Sequence, residues 1–269
     1  MKRIFVCVIM VLISVQLFAQ KDEDERKPPR TSPLARLDQA DRIMVDVFTD
    51  IWMNAPDDSV MSIKTINRGA STSILRDFPL GRSNFSFAVG LGIACHNLYS
   101  DAWPVRESFR DTTNLPFGYS FTDKTVFVKL PDTASGLDVG FKNNKLTNVY
   151  LDLPIEFRFR TKNEGQKFKF ALGFKVGVLL SSHTKYRGDD VLYDYASRSW
   201  GVRSDLTVKH KEYKVPNLEY YRMGPTIRVG WGWVNISAYY SLTKLFKKNK
   251  FIGPEMYPIS VGLTITPPI

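Results

Sequence analysis

An all-β fold is predicted for this chain: one eight-stranded antiparallel transmembrane β-barrel of the outer-membrane type. Three patterns in the 269 residues carry that prediction. Segments of alternating polarity recur from residue 43 to the C-terminus, with the period of two that a strand imposes. The connections between them alternate between short and long. On each segment one parity is large and apolar, while the other is small or charged.

The first residues set the compartment. Lys2 and Arg3 precede the apolar run IFVCVIMVLISVQLF, which is followed by Ala19 and Gln20. A positive start, an apolar centre and a small residue before a cut site describe a secretory signal peptide over residues 1–19. The run of about 15 residues is short of the ~20 that a spanning helix needs. Cleavage after Ala19 removes Cys7 and leaves Cys95 alone, so no intramolecular disulfide is expected. Residues 20–40 are charged and proline-containing, with no apolar period, and are expected to form a flexible periplasmic tether. Residues 41–269 form the barrel domain.

Strand by strand, the alternation is as follows. IMVDVFTDIW sets Ile43, Val45, Val47 and Ile51 against Asp46 and Asp50. A weakly patterned second strand falls at about residues 64–76, inferred mainly because the count needs it. NFSFAVGLGIACHNLY alternates Phe85, Phe87, Val89, Leu91 and Ile93 with Ser86, Ala88, Gly90 and Gly92. NVYLDLPIEFRFR opposes Leu151, Leu153, Ile155, Phe157 and Phe159 to Asp152, Glu156 and Arg158. KFKFALGFKVGVLL opposes Phe168, Phe170, Leu172, Phe174, Val176 and Val178 to Lys169, Gly173, Lys175 and Gly177. YRMGPTIRV, WVNISAYYSL and ISVGLTIT complete the count, with Arg222 and Arg228 on the polar parity of the first of these.

The links FPLGRS, TKNEGQ and GWG are short and fall at one end of the sheet. Long connections at about residues 101–145 and 185–216, with the intermediate NAPDDSVMS and FKKNKFIGPE, fall at the other. Tight turns in the periplasm, long loops outside and a periplasmic N-terminus are the layout of an outer-membrane barrel. A soluble barrel would also alternate, but three features turn the apolar parity toward lipid. The polar parity carries Gly90, Gly92, Gly173, Gly177, Gly224 and Gly262, which a crowded lumen needs and a wet surface does not. Phe85, Phe87, Phe157, Phe159, Phe168, Phe170, Trp231 and Trp233 gather beside the short turns as an aromatic girdle. The apolar face also runs uninterrupted over lengths that can cross. Asp46, Asp50, Asp152, Glu156, Arg158, Lys175, Arg222 and Arg228 then share the lumen, where they are expected to pair and leave no open pore.

Four stretches, RDFPLGRSNFSFAVGLGIACHNLYSD, YLDLPIEFRFRT, FKFALGFKVGVLLSSHTKYRGDD and GPTIRVGWGWVNISAYYSLTKLF, resemble the PorT-like family of small outer-membrane β-barrels. The resemblance implies the barrel and an envelope role of the kind associated with type IX secretion. The chain departs from the usual outer-membrane ending, closing on TPPI where an aromatic is common.

Chemistry is sparse. His96 lies on the lumen parity and is expected to be a hydrogen-bonded interior histidine. His183, with Ser181, Ser182, Asp189 and Asp190 nearby, is the best enzymatic candidate, for lipid or peptide hydrolysis at the outer rim. Ser182 and His183 are adjacent on a strand, however, and so point to opposite faces, while Ser181 and His183 share a face but lack the cross-fold placement of a triad. No residue set has the spacing of a metal site or a phosphate loop, so no cofactor is expected. A net charge of +10 that is spread along the chain and mixed with acids lacks a nucleic-acid footprint. What remains is recognition: Trp103, Phe109, Phe117, Tyr119, Tyr193, Tyr195 and Trp200 in the long loops are candidate contacts for a partner. Expected partners are outer-membrane lipid and other envelope proteins. The expected role is a non-enzymatic accessory or scaffold of a secretion or assembly machine.

Overall fold

Where one parity is apolar and the other small, the backbone runs as strand, and the strands close on themselves. The computed structural model describes residues 43–81, 83–111, 120–134, 137–161 and 168–266. The expected signal peptide and tether, Phe117, Tyr119 and residues 267–269 lie outside the described residues. The strands are β1 (Ile43–Met53), β2 (Arg68–Pro79), β3 (Phe85–Tyr99), β4 (Ala102–Asp111), β5 (Ser120–Lys129), β6 (Thr133–Ala134) and β7 (Leu137–Asp138). They continue with β8 (Phe141–Arg160), β9 (Phe168–Asp194), β10 (Ser199–Tyr213), β11 (Tyr221–Trp231), β12 (Val234–Tyr240), β13 (Phe251–Ile252) and β14 (Tyr257–Ile265).

Eight of these form a ring in the order β1-β2-β3-β8-β9-β11-β12-β14. Each neighbouring pair is antiparallel, and β14 closes on β1 with Val45 opposite Ile265 and Met53 opposite Tyr257. Closure leaves no strand edge unpaired within the ring, which is what hydrocarbon demands of a sheet. The strand ends joined by the short links β2–β3, β8–β9 and β11–β12 lie at one end, here the turn end. Gly232, at φ +60, makes the tight β11–β12 turn between Trp231 and Trp233. The other connections lie at the loop end.

The second strand sits later than its sequence suggests, at Arg68–Pro79 rather than about residues 64–76. Its outward residues include Arg68, Ala70, Thr72 and Arg76, so neither parity is apolar throughout. Pairing with β1 and β3 sets its position instead.

Residues 185–216 do not form an open loop. β9 continues to Asp194 and folds back as β10, with Trp200 opposite Tyr193 and Tyr213 opposite His183. β8 also starts well beyond the ring, at Phe141. Residues 101–145 contain a second hairpin, β4–β5, to which β13 adds in parallel. Strands beyond the ring need no uniformly apolar parity, so most of these residues read as connections. A bulge marks where β9 leaves the ring: Val149 faces Ser181 but Tyr150 faces Leu179, so Leu180 is the extra residue. Below it the odd-numbered residues point inward; above it Ser182, Thr184 and Tyr186 do, and all three are buried.

Aliphatic and aromatic residues meet at the loop end, where an ordinary globular core would form. Met61, Leu98, Phe127, Leu146, Leu245, Phe246 and Met256 are buried together there. The rings of Phe246 and Phe251 stack at 4.4 Å, and Phe127 meets both edge-on at 5.7 Å. Asn67 ties the first connection to this cap, donating to the carbonyls of Lys64 and Asp50 and accepting from the Tyr99 amide.

Candidate functional site

The inward parity of the ring carries charge at three levels. Nearest the turn end, Arg158 donates to Asp77 at 2.5 Å and to Glu156 at 2.7 Å. Arg160 also reaches Asp77, at 2.5 Å, and Arg228 reaches Glu156, at 2.8 Å. Midway, Asp46 accepts from Ser71 at 2.5 Å and Thr264 at 2.6 Å. Toward the loop end, Arg222 grips Asp152 through Nε at 3.1 Å and Nη2 at 2.5 Å, the two-point geometry that suits guanidinium and carboxylate. Lys175 approaches the same carboxylate at 3.9 Å. His96 Nδ1 lies 2.9 Å from Asp50, which also accepts from Ser260 at 2.5 Å. With Nδ1–H given to Asp50, Nε2 is placed to accept from the Arg222 guanidinium. The Arg222 guanidinium also lies over the Tyr150 ring, 4.3 Å from its centroid.

Each of the eight charged residues expected in the lumen is therefore inward, with a partner of opposite charge or a hydroxyl donor. Asp77, Arg160, Tyr150 and Tyr239 join them without having been singled out. Asp77 falls on the poorly patterned second strand, so its parity was not legible. Space between the side chains is small: a cavity of about 50 Å³ remains among residues such as Asp46, Ser71, Lys175 and Tyr239. That holds a few waters.

The outward parity is almost wholly apolar and exposed. Val47, Leu91, Leu153, Leu172, Ile236 and Leu263 all point away from the ring with large exposed surface. At the turn end Phe85 stacks on Phe157 at 5.3 Å, and Phe168 meets Trp231 at 5.8 Å. Phe87, Phe159, Phe170 and Trp233 face outward in the same zone. A second aromatic belt lies at the loop end and is made of tyrosine: Tyr213, Tyr220, Tyr221 and Tyr240 are exposed, and Tyr240 meets Tyr257 edge-on at 5.8 Å. Amphipathic rings at both ends of an apolar band mark two interfaces. Sequence reading found only the lower one, because the upper tyrosines are scattered among loops and strand ends.

A family model described as outer membrane protein beta-barrel domain matches residues 52–247. The chain belongs to that family. No curated protein and no solved structure matched it. In this outer-membrane barrel the exposed aliphatic band contacts lipid and the charged parity is sealed inside. The spanning part of β9 is then Phe168–Leu180, and the strand continues past the lipid-facing band beyond the bulge.

The candidate chemistry and recognition residues separate. Ser182 accepts from the Val215 amide on the buried face, while His183 lies on the outer face against Tyr213, at 5.9 Å. Ser182 and His183 are therefore on opposite faces, while Ser181 shares the outer face of β9 with His183. Among the described residues no three His, Cys, Asp or Glu side chains are grouped to hold a metal ion. Trp103 and Trp200 pack into a second small core with Leu130, Tyr186 and Val191, and the Trp200 indole N–H donates to the Lys129 carbonyl at 2.8 Å. Burial, with Asp189 and Asp190 adding, pushes the Tyr186 phenol in that core up to about 12. Tyr193 is half-buried between Tyr195 and Trp200. Phe109 is half-buried too, under Lys124 at 5.7 Å. Tyr195 stays 63% exposed, so it is the one described member of the predicted contact set fully open to solvent.

Proposed function

We propose that this outer-membrane barrel is a non-enzymatic docking subunit of an envelope machine, of the protein-secretion or outer-membrane-assembly kind. The filled lumen carries this reading. Paired arginines and carboxylates at three levels, closed at one end by an apolar cap, favour a rigid platform over a pore. What the platform presents is the sheet of β8, β9 and β10 beyond the bilayer, with Tyr195, Leu192 and Leu206 exposed on it. The PorT-like resemblance supports a secretion-related partner. In this reading a cleaved signal peptide exports the chain, the turn end and N-terminus face the periplasm, and the loop end faces outward.

The test is extraction of the full-length protein in mild detergent and identification of what comes with it. A stable envelope partner, lost on Tyr195→Ala together with Leu192→Ser, is the expected result. A barrel that purifies alone under every mild condition would sink the reading. In planar bilayers the protein should show no unitary conductance steps; regular steps would replace the platform with a channel.

A further inference from the structure

Just beyond the lipid-facing band, three strands line up cations in register. Lys145 on β8 faces Lys185 on β9, which faces Lys211 on β10. One row further out Arg187 lies opposite Lys209 and beside Asn143. One row closer to the bilayer come Thr147, His183 and Tyr213. Residues two apart on a strand share a face, so all three rows look outward from the barrel.

Like charges directly opposite one another in a sheet repel, and none of these rows contains an acid to offset them. Glu212 is adjacent in sequence but faces the other side, opposite Thr184. Asp189 is held by the Gly140 amide, and Asp190 lies by His210. Among the described residues none of the five cations has a carboxylate partner. Lys145 donates to Asn97 at 2.8 Å and Lys211 lies over the Tyr213 ring at 4.6 Å, while Lys185, Arg187 and Lys209 are open to solvent. Burial and then Lys211, Lys145 and Lys185 hold the His183 imidazole below its ordinary range, so the positive field reaches the base of the strip.

The position of the strip selects the anion. Leu180, the extra residue of the bulge, is the last exposed aliphatic of the lipid-facing part of β9, and Tyr213 and Tyr221 mark the interface beside it. Lys185 follows by five residues, roughly 15 Å along a strand that is tilted and bulged. Its side chain can reach back, so its ammonium lies at headgroup height. We propose that this outer strip of β8, β9 and β10 binds a lipid by its phosphates, taking a doubly phosphorylated headgroup from the leaflet at the loop end. The apolar band below receives the acyl chains, and the rows of lysine and arginine receive the phosphates. This goes beyond the docking role and rests only on the barrel's place in the bilayer.

The full-length protein is folded into phosphatidylcholine vesicles doped with bis-phosphorylated lipid A or with its dephosphorylated form. It is then extracted in mild detergent, and the glycolipid retained per barrel is measured by native mass spectrometry. Wild type should keep the phosphorylated lipid and lose the other. The variant K185Q/R187Q/K211Q should retain at least about tenfold less. K64Q/R106Q/K248Q, which removes three exposed cations elsewhere, should retain as wild type does. Heat-modified gel migration shows that each variant is folded; if the strip variant is not, K211Q alone should still lower retention several-fold. Equal retention of both lipids, unchanged retention in the strip variants, or an equal loss in the control would each overturn the proposal. So would complete displacement by inorganic phosphate, which would make the strip a site for a free anion.

Discussion

Arg222 shows what one residue does in this lumen. Its guanidinium is buried, shared between Asp152 and His96, and laid over Tyr150. A buried charge is tolerable only while it is paired, so breaking the pair costs far more than replacing it. Asp152→Ala should lower stability by about 3–5 kcal/mol in urea titrations of vesicle-folded protein, followed by tryptophan fluorescence. The double change Asp152→Leu with Arg222→Met should lose much less, because no lone charge remains. Gly177 sits across the ladder from both partners. A Cβ there would collide with the Asp152 carboxylate and the Arg222 side chain, whereas at Gly201 it would meet nothing within 4 Å. Gly177→Val should therefore cost at least about 1–3 kcal/mol in the same titration, and Gly201→Val close to nothing.

At the scale of an element, a strand is legible when its two sides face different media. β3, β8 within the ring, β11, β12 and β14 each lie between hydrocarbon and a packed polar interior, so their parities differ sharply and their positions could be taken from the chain. β2 shows the opposite. Arg76 points outward from it, its guanidinium 5.7 Å from the Phe78 ring near the turn end, and Thr72 and Ala70 follow on the same face. An arginine so close to the interface can extend its head to the phosphates, so the strand tolerates a charge that hides its pattern. Mid-band positions have no such escape. Leu263, exposed on β14 between Val47 and Ile236, should cost about 2–4 kcal/mol when replaced by Arg, read as reduced folding into vesicles. A similar replacement at Tyr195, beyond the bilayer, should leave folding yield unchanged.

The whole molecule divides into a barrel held by a polar interior and a loop-end cap held by an apolar one. The cap joins Met61, Leu98, Phe127, Val215, Phe246 and Met256, drawn from five separate stretches of chain. Phe127→Ala should remove about 3–5 kcal/mol of cap stability. It should appear as faster proteolysis of the loop-end segments, with the heat-modified migration of the barrel unchanged. If barrel and cap melted together, the two would form one cooperative unit instead. By itself the sequence determined the ring of eight strands, its lipid-facing side and the polar parity that fills it. These follow from local alternation, which needs only the contrast between oil and a filled lumen. Which charges pair, where β2 lies, how β9 and β10 rise from the membrane and how the cap packs were decided by tertiary structure. Each of those depends on register between segments distant in the chain, and a period of two carries no record of the partner across the ladder.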